Sequence, residues 1–326
     1  NQGLALPFAI SDGVTVRATP SGDGRVHVNA CDLDGHDTFE LDDPGRVSGW
    51  RAFPRGAVSE LRAGGAQLIG TRLEITGTVP RGSGLSSSAA LEVALCLALL
   101  EVAHAQAPDR LELARICSRV ENDWVGARTG LLDQIASLFG EADAAMRIDF
   151  RSLEVSPVAL ELGDYSLVTL DSGERHAHAG EQGAETGYNQ RRAECARACE
   201  LLGIESLRDA TLEAAERLPP PLSARVRHVI TENQRVQQTT SALAQGNLER
   251  VGELLNESHA SLRDCFEIST PAVERTVGRL REAGAIGARI IGGGFGGHVL
   301  GLLPASVVAP GGAIEVRPGP GARIIR

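Results

Sequence analysis

The chain has 326 residues and a mass of 34.3 kDa, with 42% hydrophobic and 23% charged residues, enough for a sizeable core and for two domains. A formal net charge of −10 and a pI near 5.4 exclude a surface built broadly to bind nucleic acid or another polyanion. All 32 basic residues are arginine, which excludes a Walker A loop, a lysine Schiff base and the strand lysine of protein kinases.

The chain opens Asn1-Gln2-Gly3-Leu4, with neither a basic n-region nor Met. No signal peptide is expected, the natural start is expected upstream, and the expected compartment is the cytoplasm. Val14-Thr15-Val16 and Val26-His27-Val28 alternate around the turn cluster Pro20 to Gly24, which predicts a hairpin. Leu73 to Val79 alternates as a strand and leads into Pro80-Arg81-Gly82-Ser83-Gly84. A helix from about Ser86 to Ala103 follows, apolar nearly all round and so buried. Its most apolar part is broken by Glu92 and ends at Glu101, too short to span a bilayer, which needs about 20 apolar residues.

Leu111 to Trp124 predicts another helix and Met146 to Phe150 a strand. A second block opens near Val155 with a strand over Tyr165 to Leu170, a polar loop, and a helix from about Glu185 to Leu202 stopped by Gly203. Pro219-Pro220-Pro221 precedes a helix from about Ser223 to Ala244. Asn247 then caps a helix carrying Leu248, Val251, Leu254, Leu255 and Leu262, and Thr270-Pro271 opens a last one ending at Ala283-Gly284. Two α+β domains are expected, 1–154 and 155–326.

The six cysteines form no CxxC pair and are expected as free, mostly buried thiols. Cys195 and Cys199 lack a matching histidine pair, and His176-Ala177-His178, in a loop with Glu174 and Glu181, is expected to be a solvated polar stretch rather than a metal site.

Three segments carry chemistry. Gly82, Ser83, Gly84, Leu85, Ser86, Ser87 and Ser88 place glycines and serines at the start of the buried helix. There, free N–H groups and the helix dipole converge on an anion, and a hydroxyl can serve magnesium. In Gly130-Leu131-Leu132-Asp133-Gln134 an acid stands among apolar neighbours; it is either a helix-terminal residue or a group that accepts a hydroxyl proton or holds a cation. Upstream, Glu121 is either an exposed helix face or a metal ligand. Ile291-Gly292-Gly293-Gly294-Phe295-Gly296-Gly297-His298 marks a turn approached closely by other backbone or ligand, with no βαβ unit or following acid to support a dinucleotide site.

In this order the three segments resemble the GHMP small-molecule kinases, most of all the branch that phosphorylates galactose. The resemblance extends over Asn1 to Pro7, Tyr188-Asn189-Gln190-Arg191-Arg192, Arg225 to His228, Thr231-Glu232-Asn233 and Glu257 to Asp264. It implies a ribosomal-S5-like N-terminal domain, a ferredoxin-like C-terminal domain and an active site between them. Gly82 to Ser88 would cradle the phosphates of ATP, Ser88 and Glu121 would hold Mg2+, and Asp133 would be the base facing the anomeric hydroxyl. Gly130 and Tyr188 would contact the sugar, and the late glycine loop would brace the phosphate loop. The implied activity is ATP-dependent phosphorylation of galactose at C1, by a monomer acting on small molecules without nucleic-acid or membrane partners. A sugar and ATP sensor acting on a partner protein, or a kinase for N-acetylgalactosamine, arabinose or a uronic acid, are the alternatives. The family's first motif, supplying an Arg, a Glu-His pair and an Asp, would precede Asn1, and a further helix would follow Leu302-Leu303-Pro304. Thr129 and His298 replace residues that are commonly Cys in the family, as tolerated swaps.

Overall fold

The computed structural model describes residues 1–79, 85–127, 129–174 and 187–325. In chain order the elements are β1 (Leu4–Ala5), β2 (Val14–Pro20), β3 (Arg25–Ala30), β4 (Gly35–Glu40), α1 (Ala52–Ala63), β5 (Thr71–Gly77), α2 (Ser87–Val102), α3 (Arg110–Arg119) and α4 (Leu132–Phe139). They continue with β6 (Ala144–Asp149), β7 (Glu154–Ala159), β8 (Tyr165–Asp171), α5 (Gly187–Leu202), α6 (Leu212–Glu216), α7 (Leu222–Ala244), α8 (Leu248–Asp264), α9 (Pro271–Glu282), β9 (Gly287–Ile290), β10 (His298–Pro304) and β11 (Ala313–Val316). Two compact units result. One comprises the described parts of 9–81, 86–140 and 319–326, the other those of 1–8, 82–85 and 141–318.

In the first of these units four strands form a sheet in the order β2-β5-β3-β4. The expected hairpin between β2 and β3 is not formed: β5 lies between them, antiparallel to β2 and parallel to β3. The turn opens because the start of β5 enters it. Ser21 N–H donates to the Gly70 carbonyl at 2.9 Å, and a Cβ on Gly70 would stand 2.8 Å from the Gly24 nitrogen, so only glycine fits there. Thr71, Leu73 and Ile75 alternate into the core, as a central strand with one buried face requires. Helix α2 packs on β2, α1, α3 and α4 and buries Val93, Leu95, Cys96, Leu99 and Leu100. The residues from Gly319 return here, where Gly319 N–H donates to Ala9 and Gly321 N–H to Gly140.

Helix α1 was not among the expected elements. Pro54 stands in its first turn, where no intrahelical N–H is needed, and Gly56 makes room for Trp124, whose ring would lie 2.8 Å from a Cβ there. Neither residue interrupts the helix, because each has a place in it that suits its backbone.

In the other unit the antiparallel order is β11-β8-β10-β9, and β1-β6-β7 makes a smaller sheet. Helices α8 and α9 pack on β9, with Leu262, Val273, Val277, Leu280, Ile290 and Val299 in the shared core. The chain crosses here at backbone distance, since a Cβ on Gly287 would lie 2.6 Å from the Gly252 Cα. The caps fall where expected: Asn247 accepts from Arg250 N–H at 3.0 Å, and Thr270 accepts from Val273 N–H with Pro271 in the first turn. Arg225, 1% exposed, joins Glu194 at 2.6 Å and Glu267 at 2.7 Å, tying α7 to α5 and to the segment that follows α8. No disulfide joins the six cysteines. Among the described residues, no helix is long and apolar enough to cross a membrane.

Candidate active site

The first turn of α2 presents Ser87 and Ser88, with Ser86 at the N-cap in a left-handed conformation of φ 56° and ψ 41°. A non-glycine residue there carries local strain of the kind found at functional sites. Gly82, Ser83 and Gly84 lie outside the described residues, and Leu85 is half-buried. The helix start leaves backbone N–H groups and the positive end of the dipole beside Ser86 to Ser88.

Glu121 reaches this place from a turn of π-helix over Val120–Val125, which continues α3 where an uninterrupted α-helix to Trp124 was expected. Gly126 N–H and Ala127 N–H both return to the Glu121 carbonyl, at 3.0 and 3.1 Å, and Gly126 turns the chain out at φ 88°. The carboxylate, 6% exposed, collects three side-chain donors. Ser88 Oγ donates to Oε1 at 2.8 Å, while Thr129 Oγ1 and Gln134 Nε2 donate to Oε2 at 2.6 and 2.8 Å. Thr129 is itself placed by Asn122, whose Oδ1 accepts its N–H at 2.9 Å and whose Nδ2 donates back to the Ser118 carbonyl at 2.7 Å. The hydroxyl of Thr129 therefore does more than fill space: it is one of two donors on Glu121 Oε2.

Asp133 stands in the first turn of α4, half-buried. Burial, with the nearby Glu121 charge adding to it, raises its pKa above the usual 3.8, while a hydrogen bond from Ser86 opposes the rise. A carboxylate held this way is more basic than one in water, which suits proton acceptance.

Ser88 Oγ and Glu121 Oε1 are hard oxygen donors 2.8 Å apart. Neighbouring oxygens around an octahedral magnesium with bonds of about 2.0–2.1 Å stand about 2.9 Å apart, so the pair fits two adjacent positions of that ion. Among the described residues, no group of three or more His, Cys, Asp or Glu side chains is arranged as a metal cage. Two protein ligands completed by phosphate and water is the usual arrangement for magnesium at a phosphoryl-transfer site.

Ser86, Ser88, Glu121 and Asp133 thus come together within one unit, and Thr129 and Gln134 join them. Gly130 is exposed, with open space where a Cβ would be. Tyr188 belongs to the other unit, at the start of α5, where its ring borders Gly293 of the glycine loop. That loop turns through positive φ at Gly292, Gly294, Phe295, Gly296 and Gly297, pinned by Phe295 N–H to Ile268 and Gly297 N–H to Glu174. Its expected bracing of the phosphate loop falls on Gly82 to Gly84, outside the described residues, as do Arg128 and His176 to His178. His298 is buried in β10 opposite Asp171, and burial lowers its pKa. Sequence reasoning missed Thr129 and Gln134 as partners of Glu121; the available signal was the run from Thr129 to Gln134, donors placed on both sides of Asp133.

Comparison with known proteins agrees with this geometry. The family profile described as GHMP kinases N terminal domain matches residues 52–141, and that described as GHMP kinases C terminal matches 239–309. The galactokinase of Mycobacterium tuberculosis is 44% identical over 312 residues, covering 94% of this chain and 84% of its own length. That of Streptomyces coelicolor is 39% identical over 320 residues, covering 94% and 81%. The crystal structure of Lactococcus lactis galactokinase complexed with galactose superposes with a TM-score of 0.89 at 30% identity, covering 98% of this chain and 89% of that one. Methanococcus jannaschii mevalonate kinase, at 16% identity and a TM-score of 0.65, shares the fold. The α+β, two-domain GHMP kinase architecture is the one expected from sequence, and the chain belongs to the GHMP kinase family, in its galactokinase branch.

Proposed function

We propose that the chain transfers the γ-phosphoryl group of ATP to the C1 hydroxyl of galactose, giving galactose 1-phosphate and ADP. The observation that carries the reading is the junction of Asp133, Ser86, Ser88 and Glu121 at the start of α2, in a chain 44% identical to a galactokinase. Gly82 to Ser88 would bind the phosphates through backbone N–H groups and hydroxyls, which explains how a lysine-free chain can be a kinase. Ser88 and Glu121 would hold magnesium, which when bound neutralises charge on the β- and γ-phosphates. Asp133 accepts the C1 hydroxyl proton on a carboxylate oxygen as the sugar oxygen bonds to the γ-phosphorus and the bond from that phosphorus to the β-phosphate oxygen breaks. Ser86 keeps the carboxylate oriented through its hydrogen bond. Gly130 and Tyr188 are assigned to the sugar, the glycine loop at 292–297 to bracing the phosphate loop, and 1–154 and 155–326 to the two domains. A monomer in the cytoplasm, acting on small molecules, completes the reading.

The test is galactose-dependent ADP release measured beside N-acetylgalactosamine, arabinose and a uronic acid. Release with galactose as the preferred sugar supports the proposal. Preference for another sugar, or nucleotide binding without release for any of them, overturns it, the latter in favour of a sensor.

A further inference from the structure

Glu92 lies on α2 one turn after Ser88, fully buried in an otherwise apolar stretch of helix. Its Oε2 accepts from Gln134 Nε2 at 3.1 Å, and the same amide nitrogen donates to Glu121 Oε2 at 2.8 Å. Gln134 is also fully buried. Two oxygens of this cluster have no partner: Glu92 Oε1 and Gln134 Oε1. Both are acceptors when Glu92 is ionised, and they belong to two groups already joined through their other polar atoms. Buried polar atoms are nearly always satisfied, so a pair of orphans on bonded neighbours calls for a physical account.

A proton on Glu92 Oε1 supplies the missing donor. The carboxylic acid then donates to Gln134 Oε1 while its carbonyl oxygen accepts from Gln134 Nε2, closing a two-point ring and removing both orphans together. A side-chain amide carries two N–H donors, so one can close that ring while the other serves Glu121 Oε2, to which Gln134 Nε2 also donates. The reversed amide would set its oxygen against Glu121 Oε2, acceptor to acceptor, so the orientation follows from the network itself. We propose that Glu92 is a positioning residue which, as a neutral carboxylic acid, holds the Gln134 amide in a two-point ring and thereby fixes the Glu121 carboxylate with its Oε1 toward Ser88. Burial, with the Glu121 charge adding to it, pushes the Glu92 acid well above the usual carboxylate range, in the same direction. A neutral acid also orders the site without adding a third negative charge beside Glu121 and Asp133. The partners that orient a metal ligand commonly matter about as much as the ligand, with losses of about 10–100-fold in metal affinity when they are removed.

This inference rests on the assignment of Glu121 and Ser88 to magnesium, and the experiment separates the two. Infrared difference spectra between the metal-free wild type and Glu92→Gln should show the band of a protonated carboxyl only in the wild type at neutral pH. Its absence from the wild type overturns the proposal whatever the metal does. The affinity for magnesium-ATP, measured by calorimetry, should weaken by about 10-fold or more in Glu92→Leu. In Glu92→Gln, whose amide can close the same ring, it should recover to within about threefold of the wild type. Equal weakening in both variants overturns the proposal, as does loss of thermal stability in Glu92→Leu with unchanged magnesium-ATP affinity. Should Glu92→Leu not fold, the infrared band and the Gln variant decide. Glu121→Gln is the separate control: unchanged magnesium dependence there refutes the metal assignment, leaving the infrared result on Glu92 to stand or fall by itself.

Discussion

Replacing Asp133 by Asn should lower turnover and raise stability at once, and the pH dependence of the second effect identifies its cause. The amide keeps the shape and can still accept the Ser86 hydroxyl, but it cannot take the sugar's proton. A positioned general base is worth about 10²–10⁴ in rate, or roughly 2.7–5.4 kcal/mol, and kcat should fall by that factor with little change in nucleotide affinity. Burial and Glu121 raise the pKa of Asp133 above its unfolded value of 3.8. The folded chain therefore binds this proton more tightly than the unfolded chain. Its contribution to stability is fully present below pH 3.8 and is lost as pH rises through the folded pKa. Asn carries no charge and is spared that loss. At pH 7 to 8 the variant should be more stable by about 1 kcal/mol, the usual scale for relieving a functional site, or ~2–4 °C in Tm. The gain should shrink toward zero as the pH is lowered and Asp133 protonates in the wild type. In the wild type, the acid limb of kcat/KM should lie above pH 3.8 for the same reason. Calorimetric melting across pH and galactose-dependent ADP release measure both halves. A variant with near wild-type turnover removes Asp133 from the chemistry; one whose Tm at pH 7 to 8 is unchanged or lower refutes the argument from burial.

Thr129→Val keeps the side-chain shape but leaves Glu121 Oε2 with Gln134 alone, so the free magnesium needed for half-maximal ADP release should rise about 10-fold and return in Thr129→Ser; an unchanged magnesium titration counts against the hydroxyl. Arg225→Met removes the guanidinium between Glu194 and Glu267. Because Arg191 still pairs Glu194 at 2.9 Å, the cost should stay near the low end for a broken buried pair, about 3 kcal/mol, read as a calorimetric Tm lower by ~6–12 °C. Gly287→Ala drives a Cβ to 2.6 Å from the Gly252 Cα, backbone against backbone, and should cost at least the 1–3 kcal/mol of overpacking, whereas Gly278→Ala, inside α9 with open space for the Cβ, should stabilise by roughly 0.5–1 kcal/mol and raise Tm by a few degrees at most.

What the sequence makes legible follows from the range of the forces involved. The helices of the second block can be read because their signals are local: the Asn247 and Thr270 side chains meet N–H groups three residues on, and Gly203 takes φ 65° just past α5. Strand order is not local. β2 and β3 are separated by four residues and carry the turn chemistry of a hairpin, yet the parallel β3–β5 ladder inserts β5 between them. Nothing within either strand encodes that choice; it depends on where Gly70 can approach Gly24. The same contrast runs through the site. Glu121 and Asp133 are recognisable in sequence as acids that could bind a cation or take a proton, but the function of an acid depends on what surrounds it. For Glu121 the surroundings are Ser88, 33 residues before it, and Thr129 and Gln134, 8 and 13 residues after it, brought together by a π-turn that no residue pattern announces. Glu92 is the extreme case. In sequence it is a polar break in a hydrophobic helix, whereas in the fold it meets an amide whose nitrogen also donates to Glu121. That geometry, rather than the residue's identity, makes a neutral acid the form that completes the network.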